Sequence, residues 1–282
     1  MRKIHWLASY PKSGNTWVRM FLAAYRYGVG NINQAAELFK GDTNLYAYQA
    51  ASPKPVQDLT THEALALRQA AMMHLVAQHA SDPVIVKTHN AAAILNGVEL
   101  CWEPITAGAV YLTRDPRDVV LSYSRHVGKD VDGTIQLMSE DYARTSTHGT
   151  KVAHFLSSWS QHVMSWQERE NVTAVRYEDM LADPVKEFSR IVTAVGCTLD
   201  EERVAHAVEA VAFDKLKAQE ARDGFAEASN KAGGFFHKGK AGRWRDELTD
   251  EQVARIEADH GKVMEALGYE LLNPYTERRE AV

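Results

Sequence analysis

Residues 4–17 read IHWLASYPKSGNTW, and this stretch decides the fold. The apolar run from Ile4 to Ser9 predicts a short strand, and the segment from Tyr10 to Asn15 predicts a tight turn. Apolar side chains then recur at helical spacing: Trp17, Val18, Phe21, Leu22 and Tyr25. A strand, a tight loop and a helix in this order form a phosphate-binding unit. The stretch therefore predicts an α/β protein with a P-loop-like nucleotide site.

The turn itself carries groups that suit an anion. Gly14 can adopt backbone conformations that are closed to other residues. Successive backbone amides and the N-terminus of the following helix form a cradle for negative charge. Lys12 adds a full positive charge, and Ser13 and Thr16 add hydroxyl donors. The spacing is not that of a Walker A loop, and a strand–helix turn without any ligand is the alternative.

Strand and helix patterns alternate along the rest of the chain. Short apolar runs predict further strands at 84–87, 109–113 and 172–177. Helices are predicted at 62–80, after Asp115-Pro116, and at 154–170, 184–195, 200–211 and 249–267. Such alternation predicts a central, mainly parallel sheet flanked by helices. Nothing marks a boundary, so we expect a single domain over residues 1–282.

Three segments carry the polar and turn-forming residues of loops, at 40–58, 128–150 and 222–246. We expect 128–150 to be a mobile segment over the site. The third segment is rich in Gly and Lys, and we expect it to be a flexible basic flap. A solvated loop without function is the alternative for this run of charges.

Composition excludes several classes of protein. The 282 residues are 45% hydrophobic and 24% charged, as in an ordinary globular protein, and are enough for a sizeable core. The net charge of −5 argues against a nucleic-acid partner, although a local basic pocket remains compatible with it. Two cysteines do not indicate a disulfide scaffold, and the twelve histidines show no metal-binding motif. We therefore expect no metal.

The chain also lacks the marks of export or of membrane insertion. The apolar run at the N-terminus is cut by Pro11 and Lys12, which argues against a signal peptide. No stretch reaches the roughly 18 apolar residues that a membrane span needs. We therefore expect a cytoplasmic protein with no membrane span.

Val86-Lys87-Thr88-His89 includes the end of the second predicted strand. Alternate residues of a strand face the same side, so Lys87 and His89 would face one site together. Histidine suits a general base because its pKa lies near neutrality. A surface pair without a catalytic role is the alternative.

Arg114 and Ser122 form the next candidate pair. Arg114 ends a predicted strand and Ser122 lies in the helix that follows. The two converge on one anion only if the helix folds back against the end of the strand. A guanidinium binds phosphate through its planar fork of donors. A salt bridge between Arg114 and Asp118 is the alternative.

These motifs together resemble the cytosolic-type sulfotransferases that use 3′-phosphoadenosine 5′-phosphosulfate (PAPS). The first motif resembles the family pattern Pro-Lys-Ser-Gly-Thr-Thr-Trp, with Asn15 in place of one Thr. The Arg114 to Ser122 segment resembles the family's 3′-phosphate motif. Residues 237–245 resemble Arg-Lys-Gly-x-x-Gly-Asp-Trp-Lys, with His237, Arg243 and Arg245 as departures. The resemblance runs in the family's order over roughly residues 4–248.

The resemblance implies a role for each matching residue. The 5′-phosphosulfate would be bound by Lys12, Ser13, Gly14, Asn15 and Thr16, and the 3′-phosphate by Arg114, Ser122, His237, Lys238 and Gly239. The adenine would lie among Trp17, Tyr177 and Phe213. His89 would deprotonate the acceptor, and Lys87 and Lys12 would support the transferred group.

The function implied is transfer of a sulfuryl group from PAPS to a hydroxyl or amine of a small-molecule acceptor, with adenosine 3′,5′-bisphosphate (PAP) as product. Two alternatives stay open, a P-loop kinase that uses ATP and a nucleotide-binding module without turnover. No motif in the sequence identifies the acceptor, so phenols, alcohols, lipids, sugars and amines all remain possible acceptors. The sequence does not indicate the oligomeric state either, and a homodimer is one option.

Overall fold

The computed structural model describes residues 2–39, 41–145, 152–228 and 234–273. Its strands are β1 (Ile4–Ser9), β2 (Val84–Thr88), β3 (Ile94–Leu95), β4 (Val98–Glu99), β5 (Thr106–Thr113) and β6 (Val172–Arg176). One parallel sheet has the order β2-β1-β5-β6, and β3 and β4 form a small antiparallel pair. The predicted parallel sheet is confirmed.

The carboxyl ends of the four parallel strands all lie at one edge of the sheet. Leu7 of β1 lies opposite Lys87 of β2 and Val110 of β5, and β6 pairs with the other side of β5 in the same direction. Ligands of open α/β sheets bind beyond the carboxyl ends of such strands. The residues that immediately follow the four strands are Tyr10, His89, Arg114 and Tyr177. Strand direction alone therefore brings three predicted site residues to one edge.

Helices cover the sheet and its ends. They are α1 (Asn15–Tyr27), α2 (Ile32–Leu38), α3 (Leu45–Ala51), α4 (Thr61–Gln78), α5 (Pro116–Val127), α6 (Val131–Ser139), α7 (Trp159–Gln167), α8 (Tyr177–Ala182), α9 (Pro184–Ala194), α10 (Glu201–Ala210), α11 (Phe213–Asp223), α12 (Trp244–Glu247) and α13 (Asp250–Ala266). Short 3₁₀ turns lie at Val56–Asp58 and Glu103–Ile105.

Each face of the sheet carries its own apolar cluster. Trp6 and Tyr111 point into one cluster, which helices α7 and α13 cover. Leu7 and Val110 point into the other, which α1 and α9 cover. Neighbouring strand residues face opposite sides because side chains alternate along a strand. This two-sided burial confirms the prediction of one α/β domain with helices on both faces.

The loop predictions are partly wrong. Residues 40–58 contain α3, whose N-terminus is capped by Asn44. Residues 128–150 contain α6, capped by the Asp130 side chain, which accepts from the Gly133 amide. Both helices are short and start in polar sequence, so their apolar spacing is easily missed. Residues 146–150 of the second segment lie outside the described residues.

Two further boundaries differ from the prediction. The helix predicted from residue 154 begins only at Trp159, after Ser157 with φ of 60° and the N-cap Ser158. The segment 222–246 begins inside α11 and ends inside α12. Its residues 229–233 lie outside the described residues, while residues 234–243 pack over the site described below.

Candidate active site

A cavity of about 710 Å³ opens at the carboxyl edge of the sheet. Its wall contains every site residue predicted from the sequence except Ser13, which is buried behind it. The residues brought together are Lys12, Gly14, Asn15, Thr16, Trp17, Lys87, His89, Arg114, Ser122, Tyr177, Phe213, His237, Lys238 and Gly239. Segments far apart in the chain therefore converge on one space.

The loop between β1 and α1 has the strained backbone of an anion cradle. Lys12 has φ of 69°, and Gly14 has φ of 101° at the N-cap of α1. A Cβ on Gly14 would lie 2.8 Å from a carbon of the Tyr177 ring, so only glycine fits. Within the described part of the chain, the buried Ser13 hydroxyl has no hydrogen-bond partner. An oxyanion would satisfy it, because a buried polar group without a partner is unfavourable.

Lys12 places a partly desolvated ammonium group at this cradle. Its Nζ lies 3.9 Å from the centroid of the Phe235 ring. Burial, together with smaller contributions from the neighbouring positive charges of Arg114 and Arg125, lowers the pKa of Lys12 to about 8. An anion placed here would restore the stability of the charged form.

The side chains of Asn15 and Thr16 face different surroundings. Both N–H groups of the Asn15 amide donate to β1, at the Leu7 carbonyl (3.0 Å) and the Ser9 hydroxyl (3.3 Å). The Asn15 side-chain amide is therefore engaged by β1. The Thr16 hydroxyl accepts from the buried guanidinium of Arg19 at 3.1 Å, so its own proton is available to another acceptor.

His89 is held in one tautomer by the strand beside it. Its Nδ1 lies 2.8 Å from the Ser9 carbonyl oxygen, which can only accept, so Nδ1 carries the proton. Nε2 therefore has the lone pair that a base requires. Burial lowers the pKa of His89 well below its ordinary value, and the charges of Lys87 and His154 lower it further. The imidazole is neutral at pH 7.

A buried carboxylate that the sequence did not reveal supports this end of the cavity. Asp42 accepts from Arg68 (2.5 Å), the Thr88 hydroxyl (2.7 Å) and the Asn90 amide (2.8 Å), and His154 Nε2 lies 3.5 Å from its other oxygen. The Arg68 guanidinium and these hydrogen bonds hold the pKa of Asp42 well below its usual range, against the effect of burial. The carboxylate therefore stays ionised.

The same network reaches the catalytic candidates. The Asp42 amide donates to the Lys87 carbonyl at 3.0 Å. The His154 ring lies 5.5 Å from the His89 ring, centroid to centroid, and both rings line the cavity. Thr88, between Lys87 and His89, is fixed by Asp42. Asp42 thus fixes the backbone on which the two predicted catalytic residues stand.

At the opposite end of the cavity, Arg114 contacts two loops and an aromatic ring. It donates to the carbonyls of Lys12 (3.4 Å) and Lys240 (3.0 Å) and lies 4.3 Å from the Tyr177 ring centroid. Its Nε is buried and has no partner among the described residues. The salt bridge proposed as an alternative is long, at 3.9 Å to Asp118.

Asp118 instead anchors the basic flap. Its carboxylate accepts from the backbone amides of Gly242 (2.7 Å) and Trp244 (3.1 Å). Glu247 pairs with the side chains of Lys238 (2.8 Å) and Arg243 (2.7 Å). These contacts hold the predicted flap against α5, so that its cations border the cavity.

Aromatic side chains form the remaining wall. The Trp17 Nε1 donates to the Val211 carbonyl at 3.1 Å, and its ring lies edge-to-face with Tyr177 at 6.0 Å. Gly239 has φ of 60°, and a Cβ there would lie 2.3 Å from the Phe213 ring. The two predicted adenine neighbours Trp17 and Phe213 therefore line one cavity, with Gly239 packed on the second.

The structure adds cavity residues that the sequence reasoning missed, namely Arg125, His154, Phe235 and Arg243. Arg125 could have been found, because it lies one helical turn after Ser122 on the same face. His154 belongs to an irregular segment, and only the fold brings it beside His89. Phe235 and Arg243 lie in the predicted flap, but no role was predicted for either of them.

Within residues 2–39, 41–145, 152–228 and 234–273, no group of three or more His, Cys, Asp or Glu side chains could hold a metal ion. Among the helices of those ranges, none has the length and apolar character required to cross a bilayer.

Fold and site define an α/β enzyme with a P-loop-like nucleotide site. The chain belongs to the sulfotransferase family, because the family model described as "Sulfotransferase domain" matches residues 3–268. It is a PAPS-dependent sulfotransferase, and the resemblance stated from the motifs is confirmed.

Individual relatives agree with this assignment. Sulfotransferase 1A1 of the dog (Canis lupus familiaris) is 27% identical over 93% of this chain and 83% of that protein. Cytosolic sulfotransferase 16 of Arabidopsis thaliana is 27% identical over 89% of this chain and 73% of that protein.

Solved structures share the fold. A retinol dehydratase solved with androsterone and the inactive cofactor PAP superposes with a TM-score of 0.62 at 22% identity, over 98% of this chain and 83% of that one. Mouse sulfotransferase SULT7A1, solved with PAP, gives a TM-score of 0.60 at 18% identity, over 93% of this chain and 84% of that one.

Proposed function

We propose that the protein transfers the sulfuryl group of PAPS to a hydroxyl or amine of a small-molecule acceptor, with His89 as the general base. One observation carries the proposal. The Ser9 carbonyl fixes the proton of His89 on Nδ1, and the ring lines the same cavity as Lys12 and Lys87. The PAP named for two structural neighbours supports the choice of donor.

The residues of the cavity fit a nucleotide that is phosphorylated at both ends. The β1–α1 loop offers Lys12, the Ser13 hydroxyl, which has no partner among the described residues, and helix amides to a 5′-phosphosulfate. Arg114, with a buried Nε that has no partner in the described ranges, and Ser122 offer donors to a 3′-phosphate. PAPS supplies the activated sulfuryl group.

The chain's own groups then account for the transfer. His89 accepts the proton of the acceptor at Nε2, because its Nδ1 is already protonated. Lys12 and the loop amides stabilise the negative charge that grows on the leaving phosphate oxygen. Lys87, in the wall beside His89, supports the group in transfer. Catalysis by positioning and fixed charge is sufficient for this chemistry.

A direct test uses the purified protein with radiolabelled PAPS and a panel of phenols, alcohols, sugars, lipids and amines. The expected result is a labelled product, with unlabelled PAP binding measured separately by calorimetry. Absence of PAP binding would overturn the proposal. Binding without transfer to any acceptor in a host-cell extract would favour a binding module, and transfer from ATP that a chelator abolishes would favour a kinase.

A further inference from the structure

The end of the cavity that holds Arg114 and Ser122 contains one more guanidinium. Arg125 is half-buried and lines the same wall. It follows Ser122 by three residues in α5, so the two side chains stand on one face of the helix, a turn apart. The family resemblance gave this position no role.

No carboxylate of the described residues forms an ion pair with Arg125. Among the described residues Arg125 makes no hydrogen bond and no ion pair within 4.0 Å, whereas the neighbouring Arg243 and Lys238 both pair with Glu247. Asp118, the other carboxylate near this end, is engaged by the Gly242 and Trp244 amides. Arg125 therefore has no direct ion pair among the described residues, and Glu247 attracts it only from beyond contact distance.

The surrounding charges are mostly of the same sign. Burial lowers the pKa of Arg125, and the positive charges of Arg243 and Arg114 act in the same direction, whereas the nearby carboxylate of Glu247 opposes them. Arg125 in turn contributes to the lowered pKa of His237. Cations held this close repel one another unless a multivalent anion lies between them.

We propose that Arg125 is a ligand of the nucleotide's 3′-phosphate, together with Arg114, Ser122 and Lys238, and that it supplies the guanidinium that His237 does not. Arg125 therefore sets the preference for a 3′-phosphorylated adenine nucleotide over one that lacks this group. The proposal rests on the proposed function, because it assumes that PAP occupies the cavity.

Calorimetry with two probes tests it, PAP and adenosine 5′-monophosphate, which lacks the 3′-phosphate. We expect Arg125→Ala to weaken PAP binding by about tenfold or more, the scale of a charge-assisted contact. Binding of the monophosphate should stay within about twofold. Adding His237→Arg to Arg125→Ala should recover most of the lost PAP affinity, since either residue can bring a guanidinium to this end.

Arg255→Ala is the matched control, because Arg255 also carries a guanidinium on a helix but pairs with Asp132 on the surface, outside the cavity wall. We expect it to leave PAP affinity within about twofold of wild type. An equal loss in both variants, an equal loss for both probes, or no loss in Arg125→Ala would overturn the proposal. Failure of the proposed function is distinguished from these outcomes, because the wild-type protein would then not bind PAP at all.

Discussion

At the scale of a residue, His89 separates catalysis from binding. We expect His89→Ala to lower kcat by at least about a hundredfold, because the proton acceptor is lost. PAP affinity should stay within about twofold of wild type. Steady-state kinetics and calorimetry measure the two quantities.

The matched variant is His89→Asn, whose amide can still donate to the Ser9 carbonyl but cannot act as a base. It should be as slow as His89→Ala while folding as stably as wild type. Wild-type turnover in either variant would remove His89 from the mechanism.

The lowered pKa of Lys12 predicts that nucleotide binding depends on pH. Its pKa of about 8 in the free protein should rise when an anion binds, because the anion stabilises the ammonium form. Affinity for PAP is therefore complete below about pH 8 and falls as the pH rises above it, by up to about tenfold per unit. Calorimetry between pH 7 and 9.5 measures this slope. Lys12→Arg should abolish it, and an unchanged slope in that variant would assign the titration to another group.

At the scale of an element, the flap depends on glycine at one position in particular. A methyl group at Gly239 would lie 2.3 Å from the Phe213 ring, whereas no atom of the described part of the chain lies within 4 Å of the corresponding position at Gly242. Both residues have positive φ, 60° and 76°, so an alanine is strained at each. We expect Gly239→Ala to weaken PAP binding by about tenfold more than Gly242→Ala, because only the first displaces an aromatic wall of the cavity. Equal effects in calorimetry would show that the backbone strain alone matters.

The elements also show what local sequence can and cannot predict. β1 and α1 were predicted correctly because apolar runs and helical spacing are local signals. Helix α6 was missed because its stabilisation comes from the Asp130 cap and from packing against distant helices. Asp42 carries no signal, since its partners Arg68 and His154 are distant in sequence and meet only through the fold.

At the scale of the whole molecule, buried histidines make folding sensitive to acid. Burial lowers the pKa of His162 and of His260 to about 4, against an ordinary value of 6.5. The unfolded chain therefore binds more protons between pH 6.5 and 4, and stability, complete above pH 6.5, falls as the pH falls through this range. The loss is on the order of 3 kcal/mol for each histidine.

Urea unfolding at pH 7 and pH 5 measures the effect. His260→Gln should remove its share of the difference, since glutamine does not titrate and can still bond the Ser160 hydroxyl, which now lies 2.9 Å from His260 Nδ1. The same pH dependence in the variant and the wild type would mean that other groups dominate.

The contact between Lys12 and Phe235 bears on how fast the enzyme can cycle. Under the proposed function, departure of the nucleotide product leaves the ammonium facing an aromatic ring 3.9 Å away rather than water. The contact with the ring replaces part of the electrostatic attraction that is lost when the anion leaves, on the order of 1–2 kcal/mol in a desolvated site. The free-energy difference between the nucleotide-free and the nucleotide-bound protein is therefore smaller than the charge of the ligand alone would give. That smaller difference favours product escape, the event that often limits the turnover of enzymes with tightly held ligands.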